Sequence, residues 1–329
     1  MMKKESMIRF AAVGTSKIMD LMQEAMRLTQ GVECRVIVSR DLERGKAYAA
    51  KAGVPEASDD YEAVCRREDI DAVYIASPNA CHVEQALTAL RSGKHVVVEK
   101  PTAVTEAEVL LLKETAKANN VYFFEAITTL FMPNYLALKE KFPRLGKILS
   151  VEMCYGQYSS KMEEYKSGKI PSSFSTKMAG GALNDMGIYC IHPALDLFGV
   201  PDEISYHAVE GTDGIDLEGV LQVRWGDLKG VLRASKVRNV SSGLRILGEN
   251  GYLVEDGPMN DFATCAALLD GTLSFVELQH GENRMLYELA AFRDAILAQD
   301  DAFFEKMAAQ SAAASRILEI AHATASVRP

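Results

Sequence analysis

Short apolar segments alternate with helix-like segments through the first 126 residues, and this alternation restricts the fold more than any other feature. Each apolar segment is too short for a helix, so we predict a strand. These predicted strands are residues 8–13, 34–39, 71–76, 95–100 and 121–126. Strands that alternate with helices require right-handed crossovers, which give a doubly wound parallel sheet. The fold class predicted here is therefore α/β, with ligands bound at the carboxyl ends of the strands.

The turn after the first strand is predicted to bind an anion. A helix begins there at Ser16 or Lys17, and its unpaired N–H groups and dipole favour the pyrophosphate of a dinucleotide. A complete glycine fingerprint has glycine where this chain has Ser16, whose hydroxyl we expect to compensate. A plain connection between strand and helix is the alternative. The predicted cofactor-binding residues of this turn are Gly14, Thr15, Ser16, Lys17 and Ile18.

The end of the second strand indicates which dinucleotide is bound. An acidic residue at this position accepts hydrogen bonds from the ribose of NAD. This chain instead has Ser39 and Arg40, a hydroxyl and a guanidinium that suit the 2′-phosphate of NADP. Asp41 is near enough to leave NAD open, and a solvated Arg40 is the structural alternative.

The segment from His95 to Pro101 places two charged residues at a strand end. Its apolar run indicates a strand buried on both faces, and Pro101 stops that strand after Glu99 and Lys100. A lysine held at this edge of the sheet is placed for chemistry, whereas an isolated lysine would more often end a strand in solvent. We predict that Glu99 and Lys100 contact the cofactor.

The strand before it ends in a second polar group. Ser77, Pro78 and Asn79 follow that strand, and Asn79 is a suitable N-cap for a helix predicted over 79–92. His82 falls on the first turn of this helix, so we expect its ring to point back toward the strand ends. A lone histidine is usually structural, but the position of His82 near the strand ends favours a cofactor contact. We predict that Ser77, Pro78, Asn79 and His82 all contact the cofactor.

The second half changes to a largely antiparallel pattern with a large open sheet. Gly226-Asp227 and residues 248–251 read as hairpin turns. One face of such a sheet needs covering helices, and the other is solvated or buried by a second subunit. The predicted domains are residues 1–126 and 127–329, the latter ending in two helices over 284–327. Its predicted strands are residues 148–157, 204–209, 219–225, 228–235, 244–247 and 252–254, after a helix over 134–141.

A glycine pair opens a further helix that carries three titratable side chains. This helix is predicted from Gly180-Gly181 to Gly199, with Asp185, Tyr189 and His192 at positions i, i+4 and i+7. That spacing puts the three on one face, where an acid, a phenol and an imidazole can exchange protons. Gly187 is expected to leave a bare patch beside them, and a polar stripe exposed to water is the alternative.

These motifs in this order resemble the Gfo/Idh/MocA family of oxidoreductases over nearly the whole chain. The resemblance rests on Glu99-Lys100-Pro101, on Ser77-Pro78-Asn79 with His82, and on Gly180-Gly181 followed by Asp185 and Tyr189. It implies an N-terminal Rossmann domain and a C-terminal sheet that is often used for dimerisation. Tyrosine at position 189 is similar to the branch that contains glucose-fructose oxidoreductase and dihydrodiol dehydrogenase.

The resemblance also implies roles for individual residues. Lys100, Asp185 and Tyr189 would line the nicotinamide and the substrate, with Tyr189 as the base that takes the hydroxyl proton. A phenol, whose pKa is about 10, ionises more readily beside an ammonium group such as that of Lys100. Asp185 would orient the hydroxyl or the lysine, and His192 is a candidate substrate contact.

Composition excludes other classes of protein. A net charge of −9 argues against a nucleic-acid binder, and no apolar run is long enough for a membrane helix. Six scattered cysteines show no metal-binding spacing and indicate a reducing, cytoplasmic location.

The predicted function is an oxidoreductase that uses NADP, or NAD, on a sugar, polyol or vicinal diol, as a homodimer or higher homo-oligomer. The alternatives are a regulator that binds nucleotide without chemistry and a glycosidase that uses NAD transiently.

Overall fold

The computed structural model describes residues 7–279 and 283–328, which form two compact units. The first unit contains residues 7–103, 107–126 and 283–312, and the second contains residues 104–106, 127–279 and 313–328. The strands of the first unit are β1 (Ile8–Val13), β2 (Val32–Val38), β3 (Glu56–Ser58), β4 (Ala72–Ile75), β5 (His95–Glu99) and β6 (Phe123–Ala126). Those of the second are β7 (Ile148–Gly156), β8 (Glu203–Glu210), β9 (Asp216–Trp225), β10 (Leu228–Ser235), β11 (Gly243–Gly248), β12 (Gly251–Glu255), β13 (Cys265–Leu269), β14 (Thr272–Val276) and β15 (Ser326–Arg328).

Ten α-helices are present in the described part of the chain. They are α1 (Lys17–Leu28), α2 (Leu42–Ala52), α3 (Tyr61–Cys65), α4 (His82–Arg91), α5 (Glu106–Ala118), α6 (Pro133–Lys141), α7 (Met162–Lys166), α8 (Ile188–Phe198), α9 (Met285–Ala298) and α10 (Asp301–Ala323). None of the helices described here is long and apolar enough to span a membrane.

The first unit contains the predicted doubly wound sheet. Its six strands are all parallel and lie in the order β3-β2-β1-β4-β5-β6, so the chain changes direction across the sheet between β1 and β4. The central strands are almost wholly apolar because both faces are covered, and Val96, Val97 and Val98 are fully buried. The fold class predicted from the sequence is confirmed for this unit.

Two short elements of the first unit were not predicted. β3 has only three residues and α3 only five, which is too short for a hydrophobic period to show. The carboxylate of Asp60 caps α3 by accepting a hydrogen bond from the backbone N–H of Ala63 at 2.8 Å. This cap is the local signal that a sequence reading could have used.

The predicted start of the fourth helix is wrong by three residues. Residues Asn79–Cys81 form a single 3₁₀ turn, in which the N–H of Cys81 donates to the carbonyl of Pro78 at 2.8 Å, and α4 begins only at His82. Asn79 therefore lies inside the turn and is not the N-cap residue of α4, which is Cys81.

The C-terminal helices do not all belong to the second domain, contrary to the predicted division. α9 and the first half of α10 belong to the first unit, where their side chains pack on the aromatic rings of β6. Phe292 of α9 stacks on Phe124 with ring centroids 4.8 Å apart, and Phe304 of α10 meets the edge of Phe123 at 5.8 Å. The helical tail also ends at Ala323, and the chain continues into β15.

The second unit contains the predicted antiparallel sheet. Its strand order is β14-β13-β12-β11-β7-β10-β9-β8-β15, and among the strands described here only the pairs β7/β10 and β8/β15 are parallel. Both predicted hairpins are confirmed: Trp225 pairs with Leu228 across the first turn, and Gly248 pairs with Gly251 across the second. The edge hairpin β13–β14 was not predicted.

Candidate active site

The turn between β1 and α1 has the geometry expected for a dinucleotide. Gly14 has φ +115°, and a Cβ there would lie 2.8 Å from the carbonyl oxygen of Ala76, at the end of β4. Only glycine satisfies both constraints. The contact with Ala76 also places the turn at the point between β1 and β4, where doubly wound folds bind ligands. Ser16 is the N-cap of α1, but its side chain makes no capping hydrogen bond. The first-turn N–H groups of α1 therefore remain uncapped by that hydroxyl, which fits a pyrophosphate site.

The end of β2 fits a phosphorylated ribose better than an unmodified one. Asp41 is the N-cap of α2, and its carboxylate accepts a hydrogen bond from the N–H of Arg44 at 3.0 Å. Arg40 is exposed beside it. Because the acidic group already serves the helix, the guanidinium is the charged group that this strand end offers to a ligand.

His82 ties together the two loops that follow β4 and β5. Its ring is fully buried, with Nδ1 2.9 Å from the carbonyl oxygen of Pro101 and Nε2 2.9 Å from that of Ser77. Burial lowers the pKa of His82 from its ordinary value, whereas the contacts with these two carbonyls act in the opposite direction. These contacts engage both ring nitrogens, and they place the loop with Lys100 against the loop with Pro78.

Buried carboxyl groups lie behind the predicted lysine. The side chain of Glu99 accepts a hydrogen bond from the hydroxyl of Tyr74 at 2.5 Å, and burial raises its pKa. Glu288 of α9 is also fully buried and close enough to interact electrostatically with Glu99. Burial, and then the charge of Glu99, raise the pKa of Glu288 well above its ordinary value. Lys100 itself is half-buried at the end of β5. The sequence pattern missed Glu288 because a glutamate in a helix normally lies in solvent.

In the second unit, the glycine pair is explained by close packing. A Cβ on Gly181 would collide with a carboxylate oxygen of Asp216, and one on Gly180 would lie 2.7 Å from the backbone of Ser173. This close approach lets Asp216 accept hydrogen bonds from the N–H of Leu183 at 2.7 Å and from the hydroxyl of Tyr206 at 2.6 Å. The carboxylate thereby caps the start of the helix that carries the predicted catalytic residues.

That helix is not regular, which corrects the predicted common face. Residues Leu183–Gly187 form a π-helical turn before α8 begins. A π turn bonds i to i+5, so the i, i+4, i+7 spacing no longer stacks three side chains along one stripe. Tyr189 is 7% exposed with its ring against that of Tyr155, whereas His192 is fully buried.

Gly187 is not a bare patch either. It is buried, and a Cβ there would lie 2.9 Å from the side chain of Leu183 and 3.5 Å from that of Ala234 on β10. The glycine lets the π turn pack against the sheet.

Asp185 has an ionic partner that the sequence reasoning missed. Lys236, directly after β10, is 3% exposed and forms an ion pair with the carboxylate of Asp185. Its Nζ also donates to the carbonyl of Ser173 at 2.5 Å and lies 4.5 Å from the ring centroid of Phe174. Lys236 directly follows strand β10, as Lys100 directly follows β5, and that parallel was the available signal.

Comparison with known families agrees with this architecture. Residues 8–126 match the oxidoreductase family with an NAD-binding Rossmann fold, and residues 143–254 match the Gfo/Idh/MocA C-terminal domain. The chain belongs to the Gfo/Idh/MocA family. The resemblance inferred from the motifs is therefore confirmed, and the protein is an NAD(P)-dependent oxidoreductase.

Curated members of the family cover most of this chain. Scyllo-inositol 2-dehydrogenase (NADP⁺) IolU of Bacillus subtilis is 34% identical over 286 residues, which is 87% of each chain. The uncharacterized oxidoreductase YgjR of Escherichia coli has the same identity and coverage. Trans-1,2-dihydrobenzene-1,2-diol dehydrogenase of Sus scrofa is 28% identical over 251 residues, or 74% of this chain and 72% of that one.

Solved structures of other proteins share the fold. KijD10, a 3-ketoreductase of Actinomadura kijaniata in complex with NADP and TDP-benzene, has a TM-score of 0.87 at 21% identity, covering 98% of this chain and 100% of that one. Levoglucosan dehydrogenase in complex with NADH and levoglucosan has a TM-score of 0.84 at 20% identity, covering 96% of each chain.

Proposed function

We propose that this family member transfers a hydride between NADP(H) and a hydroxyl-bearing carbon of a sugar, polyol or vicinal diol. The observation that carries the proposal is the environment of Asp185, which lies on the same helical segment as Tyr189. The buried ammonium of Lys236 forms an ion pair with its carboxylate. A regulator without chemistry has no need to bury such a pair. The identity with a scyllo-inositol dehydrogenase supports the polyol class of substrate.

The cofactor is assigned to the first unit. The turn from Gly14 to Ile18 would hold the pyrophosphate, and Ser39 and Arg40 would hold the 2′-phosphate. Ser77, Pro78, Asn79, Glu99 and Lys100 complete the proposed cofactor-binding residues, with His82 as the group that holds their loops together.

The chemistry of the residues follows from their types. When bound, a nicotinamide supplies the group that gains or loses the hydride. We assign Tyr189 as the base that takes the proton from the substrate hydroxyl, and Lys100 as the cation that binds the substrate oxygen. Asp185 accepts a hydrogen bond that orients the hydroxyl. We assign no direct substrate contact to His192, because its ring is fully buried.

The deciding assay is absorbance of the reduced nicotinamide. Purified protein with NADP or NAD is mixed with inositols, sugars and cyclic vicinal diols. We expect the band to grow with at least one polyol. If nucleotide binds but no substrate of the panel is oxidised and no carbonyl counterpart is reduced, the hydride-transfer proposal fails. Cleavage of glycosides under the same conditions would favour the glycosidase alternative.

Arg40→Ala tests the choice of cofactor. We expect the affinity for NADP to fall by about tenfold or more, since charge-assisted bonds to the 2′-phosphate are lost, while the affinity for NAD stays nearly constant. Titration of each nucleotide by fluorescence measures both constants. Arg44→Ala, at the exposed start of α2, is the matched control. Equal losses for the two nucleotides would contradict the role of Arg40.

We further propose a cytoplasmic homodimer formed through the outer face of the nine-stranded sheet. On β14, Leu273 and Phe275 are 50% and 69% exposed, and they pair across the sheet with Leu268 and Ala266. Apolar groups of this size in one row favour a covered surface.

Light scattering is expected to give twice the chain mass of 36.0 kDa. Phe275→Asp should shift the protein toward the monomer. Leu111→Asp changes an exposed leucine of α5, outside this sheet, and should not. A monomeric wild type would refute the dimer.

A further inference from the structure

Lys236 occupies a position built to hold a buried cation. Its backbone N–H donates to the carbonyl of Leu217 at 2.8 Å, and its carbonyl accepts from the N–H of Ser159 at 2.9 Å. The backbone is thus fixed on both sides directly after β10. The side chain then runs inward, so that only 3% of the residue is exposed.

Three different groups surround the ammonium. They are the carboxylate of Asp185, the carbonyl oxygen of Ser173 and the face of the Phe174 ring. Ser173 and Phe174 belong to one 3₁₀ turn, and Phe174 is itself stacked on Tyr165 at 4.8 Å. This turn reaches Lys236 only because Gly180 carries no side chain, since a Cβ there would meet the backbone of Ser173.

A purely structural role explains this arrangement poorly. Burying a lysine and an aspartate costs desolvation energy, and apolar residues of similar volume often stabilise a fold as well or better. The helix start already has its own capping acid in Asp216, which is engaged by Leu183 and Tyr206. Lys236 is therefore not needed to hold the start of the helix, and its ammonium can serve to orient Asp185.

We propose that Lys236 is a positioning residue that keeps the carboxylate of Asp185 paired with a cation and aimed at the substrate, an inference that rests on the proposed hydride-transfer function. The ammonium binds one carboxylate oxygen, Oδ2, and so fixes the rotation of the side chain. The half-buried carboxylate can then accept a hydrogen bond of fixed direction from a hydroxyl group. Without the cation, the carboxyl group would be free to rotate, and its charged form would lose a stabilising partner.

Other titratable groups near Asp185 and Lys236 could also contribute to the pH dependence of turnover. Asp216 of β9 feels the charge of Lys236, and it also feels that of His322 on α10. His322 Nε2 lies 2.9 Å from the amide oxygen of Asn184, next to Asp185. Tyr189 lies on the same helix. A change in the pH dependence must therefore be compared among variants that leave these residues intact.

The test compares two neutral variants, Lys236→Met and Lys236→Gln, with wild type on a substrate found in the panel. Turnover is expected to fall by about a hundredfold, since small misplacements of an orienting group have that effect. The acid limb of the pH–rate profile should move upward by about one pH unit or more. The affinity for NADP should not change. Lys236→Gln keeps a donor for Ser173, so it also serves if Lys236→Met does not fold.

A matched control separates this role from loss of an ion pair in general. Lys139 pairs at 2.7 Å with Asp196, which lies on α8 of the same unit, and Lys139→Met should alter thermal stability without moving the acid limb. Added ethylammonium should partly restore turnover to Lys236→Ala. Wild-type turnover and an unmoved acid limb in the neutral variants would overturn the inference. A wild type that binds NADP but is inactive on every substrate would instead refute the proposed function.

Discussion

Replacing Tyr189 by phenylalanine is expected to lower turnover by about two to four orders of magnitude, the usual scale for loss of a general acid or base. The ring is 7% exposed and packs against Tyr155, so phenylalanine should keep the packing and remove only the hydroxyl. The affinity for NADP should therefore stay nearly unchanged. Steady-state turnover together with nucleotide titration measures both quantities.

The matched control for this variant is Tyr135→Phe. Tyr135 is also buried in the second unit, and its hydroxyl donates to Asp196 at 2.6 Å. Loss of that hydrogen bond should lower the melting temperature and leave turnover close to that of wild type. If Tyr189→Phe turns over as fast as wild type, the base must be sought elsewhere, with Lys100 as the first candidate.

Lys100→Met is expected to lower turnover by about two to three orders of magnitude, because one charged donor to the reacting oxygen is lost. Methionine keeps the length of the side chain without its charge. The variant should still bind NADP, since the pyrophosphate turn and Arg40 are unchanged. A stopped-flow trace of the reduced nicotinamide band under single-turnover conditions isolates the hydride-transfer step from product release.

Lys94→Met is the control for a lysine of the same strand region. Lys94 immediately precedes β5, and its ammonium donates to the carbonyls of Arg67 at 2.6 Å and Ile70 at 2.8 Å. Its loss should weaken the loop that it holds without a comparable effect on the hydride-transfer step. Similar losses in the two variants would mean that Lys100 acts through the fold and not on the reaction.

Local sequence patterns predicted most of the architecture because they act over a few residues. β1 and β10 were predicted at their observed bounds. The two hairpins followed from glycine-containing turns. Elements of three to five residues, such as β3 and α3, were missed because they are shorter than the period that a pattern must complete.

Partners that are distant in the sequence decided the rest of the candidate site. The π turn depends on Asp216, which approaches the glycine pair from β9, and it shifts Tyr189 relative to Asp185 in a way that regular helical spacing does not predict. The first unit recruits α9 because Phe292 completes an aromatic stack on Phe124. None of these contacts leaves a periodic trace in the chain.

The sequence by itself determined the family, the two kinds of sheet and the residue types that the chemistry needs. Hydrophobic period, turn residues and short motifs are local properties, so a single chain displays them directly. Only the tertiary structure decided the environment of each charged group: Glu288 is buried beside Glu99, His82 binds two backbone carbonyls, and Lys236 pairs with Asp185. The physical reason is that the cost of burying a charge depends on partners brought together by folding, which the linear order of residues does not specify.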